Sequence, residues 1–374
     1  MSNSTLPHTH ILHVLDSLSH SSGVSNVVMG YLRNMNHDAY IIDVAVYKDC
    51  DMDLVDEILS FGGKIHYLPD ISLTNISQYK AAFTQILLEN YYSIIHAHIA
   101  NSAFLYMMEA RKRRIECRIM HAHSSRGSSS LIKSFRNSLL HMGIPLWCNH
   151  FFACSEHAAY HLYPKRILNQ VFVLQNSIDT NKFKYIPELR GEIRRDLGLD
   201  PDTICVGHIG RFDRAKNHHF LLDMFSLFHQ QLPNSCLVLV GDGDLENPIR
   251  KKASDLGLQK SISFLGKRKD PERLYQAFDL LIMPSIFEGW GLVAAEAQCA
   301  GLPCLLSDTM TTVATLTDNV RVLPLGSPSL WVNSAIDILK GFIRTDQSEY
   351  IRNKGFDNAT RVKQLQDLYK SFLS

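Results

Sequence analysis

The sequence predicts an α/β protein with two doubly wound parallel sheets, and three observations lead to this fold class. Short apolar runs alternate with segments of helical period along the whole chain. This alternation starts afresh near the middle of the sequence. The chain has 374 residues, which suits two domains of ordinary size better than one. Such a strand–helix rhythm is typical of parallel sheets with helices on both faces.

The strand candidates fall into two groups along the chain. The first group consists of HILHVL, AYIIDVAVY, KIHYL, SIIHAH, CRIMHAH, HFFACS and VFVLQN. The second group consists of TICVGHIG, CLVLVG, SISFLG, DLLIMPS and LPCLLSD. Helix candidates between them include DLVDEILSF, ISQYKAAFTQILLEN, NHHFLLDMFSLFHQQL and a segment near 245–256. Each apolar run is short enough for a buried strand, and each helical segment can cover a sheet face.

The segment NSIDTNKFKYIPE separates the two groups and gives the best domain boundary. We predict an N-terminal domain over 1–180, a C-terminal domain over 181–345, and one final helix over 346–374. Leu365 and Leu368 lie at helical spacing in that last segment. Ligands of open parallel sheets bind beyond the carboxyl ends of the strands, so we expect loops of both domains to line a cleft.

Composition excludes several classes of protein. The formal net charge is +1, without the basic excess that nucleic-acid binders carry. Eight cysteines form no C-x-x-C pair, and several lie in apolar runs, as expected of inert thiols in a reducing compartment. No run of 18 apolar residues and no secretory pattern are found, so we expect a cytoplasmic protein.

The most informative segment is PSIFEGWGLVAAEAQCAGLP. Glu288 and Glu296 enclose seven residues, and Gly289 and Gly291 precede a helix predicted to begin near Leu292. Free backbone N–H groups at such a helix start suit a phosphate or sugar hydroxyls, and Glu296 can accept hydrogen bonds from a vicinal diol. The alternative is an ordinary strand–loop–helix unit with surface acids.

A second segment, GHIGRFDRAKN, follows the strand candidate TICV. Arg211 and Lys216 lie five positions apart in the loop that begins at Gly210. Two converging cations are what a diphosphate leaving group requires. The alternative is a pair of solvated loop cations.

Glycines mark two further strand–helix junctions. Gly23 stands in DSLSHSSGVSNVV, where the chain turns closely into a helix. The segment GDGDL at 241–245 contains G-x-G without a third glycine. This incomplete fingerprint disfavours a nicotinamide dinucleotide cofactor.

Two His-Ala-His tripeptides end neighbouring strand candidates. They contain His96 with His98 and His121 with His123. Residues two apart in a strand share a face, so each pair could supply metal ligands. Because no carboxylate accompanies either pair, we favour one active-site histidine with packed neighbours.

Two Asp-x-Asp sequences offer a weaker metal hypothesis. They are Asp51 with Asp53, which has the appearance of a helix start, and Asp242 with Asp244 in a glycine-bounded turn. Only the second could hold a metal–diphosphate complex. We predict that the protein uses no metal and no other cofactor.

Taken together, these segments resemble the retaining glycosyltransferases of family 4, which have the GT-B fold of two Rossmann-like domains. The resemblance spans nearly the whole chain and is most specific in Glu288-x7-Glu296 and in GRFDRAK. NSID at 176–179 is similar to the family's N-G-I-D, with Ser177 in place of glycine. AGLPCLLSDTMTTVATLTDNVRVLPL and FFACSEHAA are similar to the exopolysaccharide and capsule branch. The fold implies a cleft between the domains and a C-terminal helix packing back on the first one.

The resemblance also implies residue roles. Arg211 and Lys216 hold the donor diphosphate, and Glu296 binds the ribose hydroxyls. The donor hexose is contacted by Glu288 and by the backbone of Gly289, Trp290 and Gly291 at the start of the helix at Leu292. Trp290 departs from the smaller residues often found there, which leaves the donor sugar open.

The remaining implied roles concern the base and the transferred sugar. Lys267 and Arg268 lie against the base, and Gly23 approaches the donor phosphates or the acceptor. His123 corresponds to the histidine near the transferred sugar, with His121 as the alternative register.

The resulting prediction is a retaining hexosyltransferase. Its partners are a nucleotide sugar donor, first of all a UDP-linked one, and a glycan or polyprenyl-diphosphate-linked acceptor. The family reaction implies front-face attack without a metal. Two alternatives stay open: a nucleotide-sugar epimerase or hydrolase, and a non-catalytic nucleotide-sugar-binding subunit.

The segment SSRGSSSLIKSFRNSLLHMGIPLW suggests a membrane contact. Its apolar residues Leu131, Phe135, Leu139 and Met142 fall near one helical face, with Lys133 and Arg136 beside them. Such a helix can lie in an anionic lipid interface. The alternative is a helix that packs on the N-terminal sheet.

Overall fold

The computed structural model describes residues 8–71, 74–123, 136–137, 140–310 and 315–374. The chain divides into two compact units. Unit 1 comprises Met1–Ser177 and Asn358–Ser374, and unit 2 comprises Ile178–Asp357. The first division lies three residues before the predicted one at 180, and residues 346–357 belong to unit 2 rather than to a separate terminal element.

In unit 1, the described strands form a parallel sheet in the order β3-β2-β1-β4-β5-β6-β7. They are β1 (Thr9–Val14), β2 (Tyr40–Val46), β3 (Ile65–Tyr67), β4 (Ile94–Ala97), β5 (Cys117–Ala122), β6 (His150–Ala153) and β7 (Val171–Val173). The order reverses between β1 and β4, which makes this pair the topological switch point where such sheets bind ligands.

Helices cover both faces of this sheet. They are α1 (Gly23–Asn34), α2 (Met52–Ser60), α3 (Ile76–Glu89), α4 (Ala103–Lys112), α5 (Ile144–Trp147) and α6 (Glu156–Leu162), with a 3₁₀-helix over Lys165–Gln170. Buried aromatic side chains such as Phe83, Tyr106 and Phe152 fill the spaces between the layers. The apolar runs of the sequence predicted each of the seven strands.

In unit 2, the described strands form a parallel sheet in the order β10-β9-β8-β11-β12-β13. They are β8 (Ile204–Ile209), β9 (Ser235–Val240), β10 (Ile262–Phe264), β11 (Leu280–Met283), β12 (Cys304–Ser307) and β13 (Val320–Leu323). The prediction missed β13, because this edge strand is short and half-exposed. Here the order reverses between β8 and β11.

The helices of unit 2 follow the predicted alternation. They are α7 (Pro187–Asp196), α8 (His218–Gln231), α9 (Glu246–Asp255), α10 (Pro271–Ala277), α11 (Leu292–Cys299), α12 (Pro328–Leu339) and α13 (Ser348–Asn353). Both units therefore have the α/β doubly wound architecture that the sequence predicts.

The prediction of one helix over the last 29 residues is wrong. The chain forms α13 and then α14 (Asn358–Phe372), separated at Gly355, whose φ of 82° is incompatible with a continuous right-handed helix. The second helix belongs to unit 1, where the Tyr369 hydroxyl hydrogen-bonds His96 Nδ1 at 2.6 Å. The C-terminal helix thus packs on the first domain, as the family resemblance implies.

The cysteines are unpaired, and seven of the eight are buried. Burial raises the pKa of thiols such as Cys148, to about 12, which keeps them protonated. This agrees with the prediction of inert core thiols.

The predicted membrane segment lies mostly outside the described residues, which leave out Leu131, Lys133, Phe135 and Leu139. Of its described residues, Met142 is 56% exposed. None of the helices in the described ranges combines the length and hydropathy needed to cross a membrane.

Candidate active site

Four loops of unit 2 follow neighbouring strands and meet at one edge of the sheet. They begin after β8, β9, β10 and β11, which are adjacent and parallel, so their carboxyl ends lie side by side. These loops and the first turns of α11 contain every residue that the sequence predicts for donor binding in this half of the chain. The predicted residues therefore lie on one edge of one domain.

The loop after β8 is shaped by Asp213. Its carboxylate accepts hydrogen bonds from the backbone N–H groups of Ala215, at 2.9 Å, and Lys216, at 3.2 Å. This local turn is typical of aspartate two or three residues before the bonded amides. Sequence reasoning did not assign Asp213 a role, although the D-x-A-K spacing carried this signal.

A backbone hydrogen bond joins the β8 loop to the β11 loop. The Ile286 N–H donates to the Ala215 carbonyl at 2.7 Å. This bond brings together two residues that are 72 positions apart: the Lys216 ammonium contacts the Glu288 carboxylate. Their side chains are 17% and 19% exposed, so the ion pair is partly shielded from solvent. The opposite charges of Lys216 and Glu288 compensate one another in this pair.

Arg211 differs from Lys216 in its surroundings. Its side chain is exposed, and within the described ranges its guanidinium makes no hydrogen bond and no ion pair. A planar guanidinium with open donors suits bidentate contact with phosphate oxygens. The loop thus offers one open cation and one cation held by a carboxylate.

Two glycines shape this edge through their backbones. Gly291 has a φ of 79° at the N-cap of α11, a left-handed conformation that favours glycine, and no side chain caps the helix start. At Gly241, with φ 137°, a Cβ atom would lie 2.1 Å from the Gly210 carbonyl oxygen. The G-x-G of GDGDL therefore serves close packing between the β8 and β9 loops.

Glu296 lies in α11, where it accepts a hydrogen bond from the Tyr275 hydroxyl at 2.7 Å. Burial raises the pKa of this carboxyl group to about 7, and the Tyr275 hydrogen bond offsets part of the effect. Tyr275 was not predicted as part of the site, because its position in α10 gives no local signal of a contact 21 residues away.

His208 is a further residue that sequence reasoning missed. Its Nδ1–H donates to the Ile282 carbonyl at 2.8 Å, which leaves Nε2 as a buried acceptor without a partner in the described ranges. Burial lowers its pKa to about 4, so the ring is neutral. A Cβ atom at Gly210 would lie 3.3 Å from this nitrogen. The polar residue in the apolar strand TICVGHIG was the available signal.

The residues predicted to face the base form ion pairs. Lys267 pairs with Asp242 at 3.1 Å, and Arg268 makes two 2.7 Å hydrogen bonds to Asp270. Asp242 is thus engaged by a cation, and the groups of potential metal ligands found among the described residues do not include Asp242 or Asp244. The contact of Lys267 and Arg268 with a base stays a prediction.

The Trp290 side chain does not belong to the loop surface. It is 3% exposed and packs in the core of unit 2, with its ring 6.0 Å from that of Phe356. The backbone of Trp290 is the part available to a ligand, which agrees with the backbone contact that the family resemblance implies. The unusual side chain therefore does not indicate which sugar the donor carries.

In unit 1, Gly23 is the first residue of α1. The preceding Ser22 caps this helix, since its side chain accepts from the Ser25 N–H. Gly23 does not have a positive φ. Its predicted approach to the donor or acceptor is a matter for experiment.

Five histidines cluster on one face at the carboxyl ends of β1, β4 and β5. They form two hydrogen-bonded chains, His13–His98–His123 and Tyr369–His96–His121. Burial holds the pKa of each imidazole well below its usual value, at about 3 for His123. All five rings are therefore neutral at physiological pH.

The cluster separates the two candidates for the sugar-facing histidine. His121 is completely buried, whereas His123 follows the end of β5 and is partly exposed. This geometry favours His123 without testing its role. His13 was missed, although a histidine inside the apolar run HILHVL was a visible signal.

Comparison with known proteins bears on the whole chain. Residues 190–354 match the family model described as glycosyl transferases group 1. The putative glycosyltransferase EpsF of Bacillus subtilis is 30% identical over 306 residues, which cover 80% of this chain and 79% of the relative. A UDP-Gal:alpha-D-GlcNAc-diphosphoundecaprenol alpha-1,3-galactosyltransferase of Escherichia coli is 25% identical and covers 80% of this chain and 81% of its own length.

Solved structures bear out the fold. The crystal structure of Anabaena HepE in complex with UDP and glucose superposes with a TM-score of 0.79 at 20% identity, covering 97% of this chain and all of HepE. Sucrose-phosphate synthase of Thermosynechococcus elongatus gives a TM-score of 0.76 at 17% identity, covering 98% and 99%. The chain belongs to the group 1 glycosyltransferases, the family 4 enzymes of GT-B fold that its motifs resemble.

Proposed function

We propose that this glycosyltransferase moves a hexose or N-acetylhexosamine from a UDP-linked donor to a hydroxyl group, with retention of anomeric configuration. The acceptor is a glycan or a polyprenyl-diphosphate-linked sugar, and the product serves bacterial surface polysaccharide synthesis in the cytoplasm. The names of two similar proteins support this direction: one acts on a diphosphoundecaprenol-linked sugar with UDP-Gal, and another was crystallised with UDP and glucose.

The observation that carries the proposal is the contact between Lys216 and Glu288, together with the exposed guanidinium of Arg211 in the same loop as Lys216. A nucleoside diphosphate gains negative charge as the bond to the sugar breaks. Cations that contact the bound diphosphate stabilise that charge in the transition state, each strong donor by about 3 kcal/mol. The two cations at this edge of unit 2 suit such a leaving group.

Donor binding would rearrange the ion pair. A diphosphate that takes the Lys216 ammonium releases the Glu288 carboxylate, which can then accept a hydrogen bond from a hexose hydroxyl. The start of α11 offers backbone N–H groups to the same ligand. Lys216 and Glu288 would thus exchange their mutual contact for contacts with two adjoining parts of the donor, the diphosphate and the hexose.

Retention follows from front-face attack in this proposal. The acceptor hydroxyl approaches the anomeric carbon on the side of the departing diphosphate, and a phosphate oxygen takes the hydroxyl proton. His123 would lie near the transferred sugar, as the family resemblance implies. The two cations would do the work of a metal, so transfer is proposed to be metal-independent.

A donor screen tests the proposal. Purified protein is incubated with a panel of nucleotide sugars, with and without a lipid-linked or glycan acceptor, and nucleoside diphosphate release is measured. We expect release with a UDP-sugar that depends on acceptor and persists in EDTA, and NMR of the product should show the donor's anomeric configuration. Arg211→Ala should lower kcat by about 100-fold or more, since it removes charge stabilisation.

Arg214→Ala is the matched control, because Arg214 is an exposed cation of the same loop. Equal loss in both variants would remove the special role of Arg211. Conversion of the donor without any acceptor would instead establish the epimerase or hydrolase alternative. A protein that binds the donor but never turns it over would be the non-catalytic subunit.

Glu296 yields a prediction in which binding and stability move in opposite directions. Its raised pKa of about 7 means that the folded state binds more protons than the unfolded state between about pH 4.5 and 7. Stability from this group is complete below that window and is lost as pH rises through it. Glu296→Gln should therefore increase the free energy of unfolding at pH 8 by up to about 3 kcal/mol and raise Tm accordingly. The increase should be smaller at pH 5.5.

The same substitution should weaken UDP binding by about 10-fold or more, because a charged acceptor for the ribose hydroxyls is lost. Calorimetry at several pH values should also show wild-type affinity falling below pH 7 and a flat profile in the variant. An unchanged affinity in folded Glu296→Gln protein would take this residue out of the donor site.

Peripheral membrane contact through the segment at 131–147 is part of the proposal for a lipid-linked acceptor. Binding to liposomes should require anionic lipid and should decrease with salt, because it rests on Lys and Arg side chains. Co-sedimentation should weaken in Lys133→Glu/Arg136→Glu protein and stay unchanged in Lys251→Glu, an exposed lysine of α9. Equal sedimentation of all three proteins would point to a soluble acceptor.

A further inference from the structure

The five-histidine cluster of unit 1 contains more imidazole groups than one sugar-facing histidine requires. His13, His96 and His121 are completely buried, and no carboxylate belongs to the groups of potential metal ligands that they form with their neighbours. A buried polar side chain is usually fully hydrogen-bonded. Here His13 Nε2, His121 Nε2 and His123 Nδ1 have no partner among the described residues.

Three members of the cluster are placed to share one cation. One ring nitrogen from each of His98, His121 and His123 lies within 4.8 Å of the other two. Ligands at 2.0–2.1 Å in a tetrahedral zinc site are separated by about 3.3 Å. His98 Nδ1 and His123 Nε2, now 2.7 Å apart, would need to separate by only about 0.6 Å. His123 is the partly exposed member of the three beside the completely buried His121.

The hydrogen bonds to the outer histidines are compatible with the tautomers that such a site needs. If His98 Nε2–H donates to His13 Nδ1, at 3.0 Å, then His98 Nδ1 keeps its lone pair. If His121 Nδ1–H donates to His96 Nε2, at 3.1 Å, then the unpartnered His121 Nε2 keeps its own. His96 Nδ1–H then donates to the Tyr369 hydroxyl at 2.6 Å. Metal-binding histidines are oriented by such hydrogen bonds on their second nitrogen.

We propose that His98, His121 and His123 form a binding site for one divalent cation of intermediate softness, with Zn²⁺ as the type, supported by His13, His96 and Tyr369. Neutral imidazoles are the ligands that suit Zn²⁺, and three of them leave a fourth position for water. Mg²⁺ and Ca²⁺, which need oxygen ligands, are excluded by the same chemistry. His123 belongs to both proposals, but cation binding is not a step of the transfer reaction proposed above.

The test uses the full chain without a histidine tag, treated with EDTA and desalted. Co²⁺ titration should produce the visible absorption of a tetrahedral ion, saturating at one equivalent, and added Zn²⁺ should abolish this absorption. Mg²⁺ should have no effect on it. The absence of a tetrahedral signal from wild-type protein overturns the proposal.

Variants locate the site. His121→Phe, which places a ring beside Phe152, and His98→Asn should each abolish the one-equivalent signal. His20→Asn should retain it, because His20 pairs with Asp53 on the surface of the same unit. Thermal melts without metal establish that the variants are folded. A signal that persists in a folded cluster variant, or that disappears in His20→Asn, contradicts the assignment.

Discussion

The hydrogen bond from Ile286 to Ala215 is the constraint on which the candidate donor site depends. It joins the loops after β8 and β11 at the point where the strand order of unit 2 reverses. Parallel pairing of these strands aligns their carboxyl ends, and the bond fixes the remaining distance between the loops. Lys216 and Glu288 can then form a pair although 72 positions separate them. Arg211, in the same loop as Lys216, is exposed, so the edge contains one cation paired with a carboxylate and one exposed cation.

The two units use their switch points for different chemistry. In unit 2 the loops collect charged side chains, among them Arg211, Lys216 and Glu288. In unit 1 the strand ends collect imidazoles, and burial keeps them neutral by lowering their pKa. Neutral imidazoles bind transition-metal cations and orient one another, whereas guanidinium and ammonium groups bind phosphate. The same sheet architecture therefore carries two groups of side chains with opposite preferences for ligand charge.

Much of the fold could be predicted because its strands are buried on both faces and appear as continuous apolar runs between turn residues. The short edge strand β13 lacks such a run, and Gly355 interrupts an otherwise helical pattern. The loops of the candidate donor site could be singled out for a different reason, and their role in donor binding stays a prediction. Their residues lie close together in sequence, within GRFDRAK and within the Glu288-x7-Glu296 segment.

What escaped sequence reasoning depends on long-range packing. His13 meets His98 across 85 positions, and Tyr275 reaches Glu296 from another helix. His208 Nε2 lies close to the backbone of Gly210 at the start of the loop, where a Cβ atom would be 3.3 Å away. Trp290 likewise lies in the core, where its ring contacts Phe356, and the local sequence around Trp290 does not predict this contact. Sequence spacing indicates which loops carry the candidate residues. The hydrogen bonds and the burial of each side chain depend on neighbours that only the folded chain brings together.

The central claim is that Lys216 pairs with Glu288 until a donor diphosphate takes the place of the Glu288 carboxylate. Calorimetric titration with UDP, which lacks the sugar that Glu288 would contact, tests this claim in a double-mutant cycle of Glu288→Gln and Lys216→Met. Release of Lys216 should strengthen UDP binding to Glu288→Gln protein by about 5-fold, or about 1 kcal/mol. The gain should vanish when Lys216 is already methionine. Weaker UDP binding by Glu288→Gln, or a gain of equal size in the Lys216→Met background, would contradict the account.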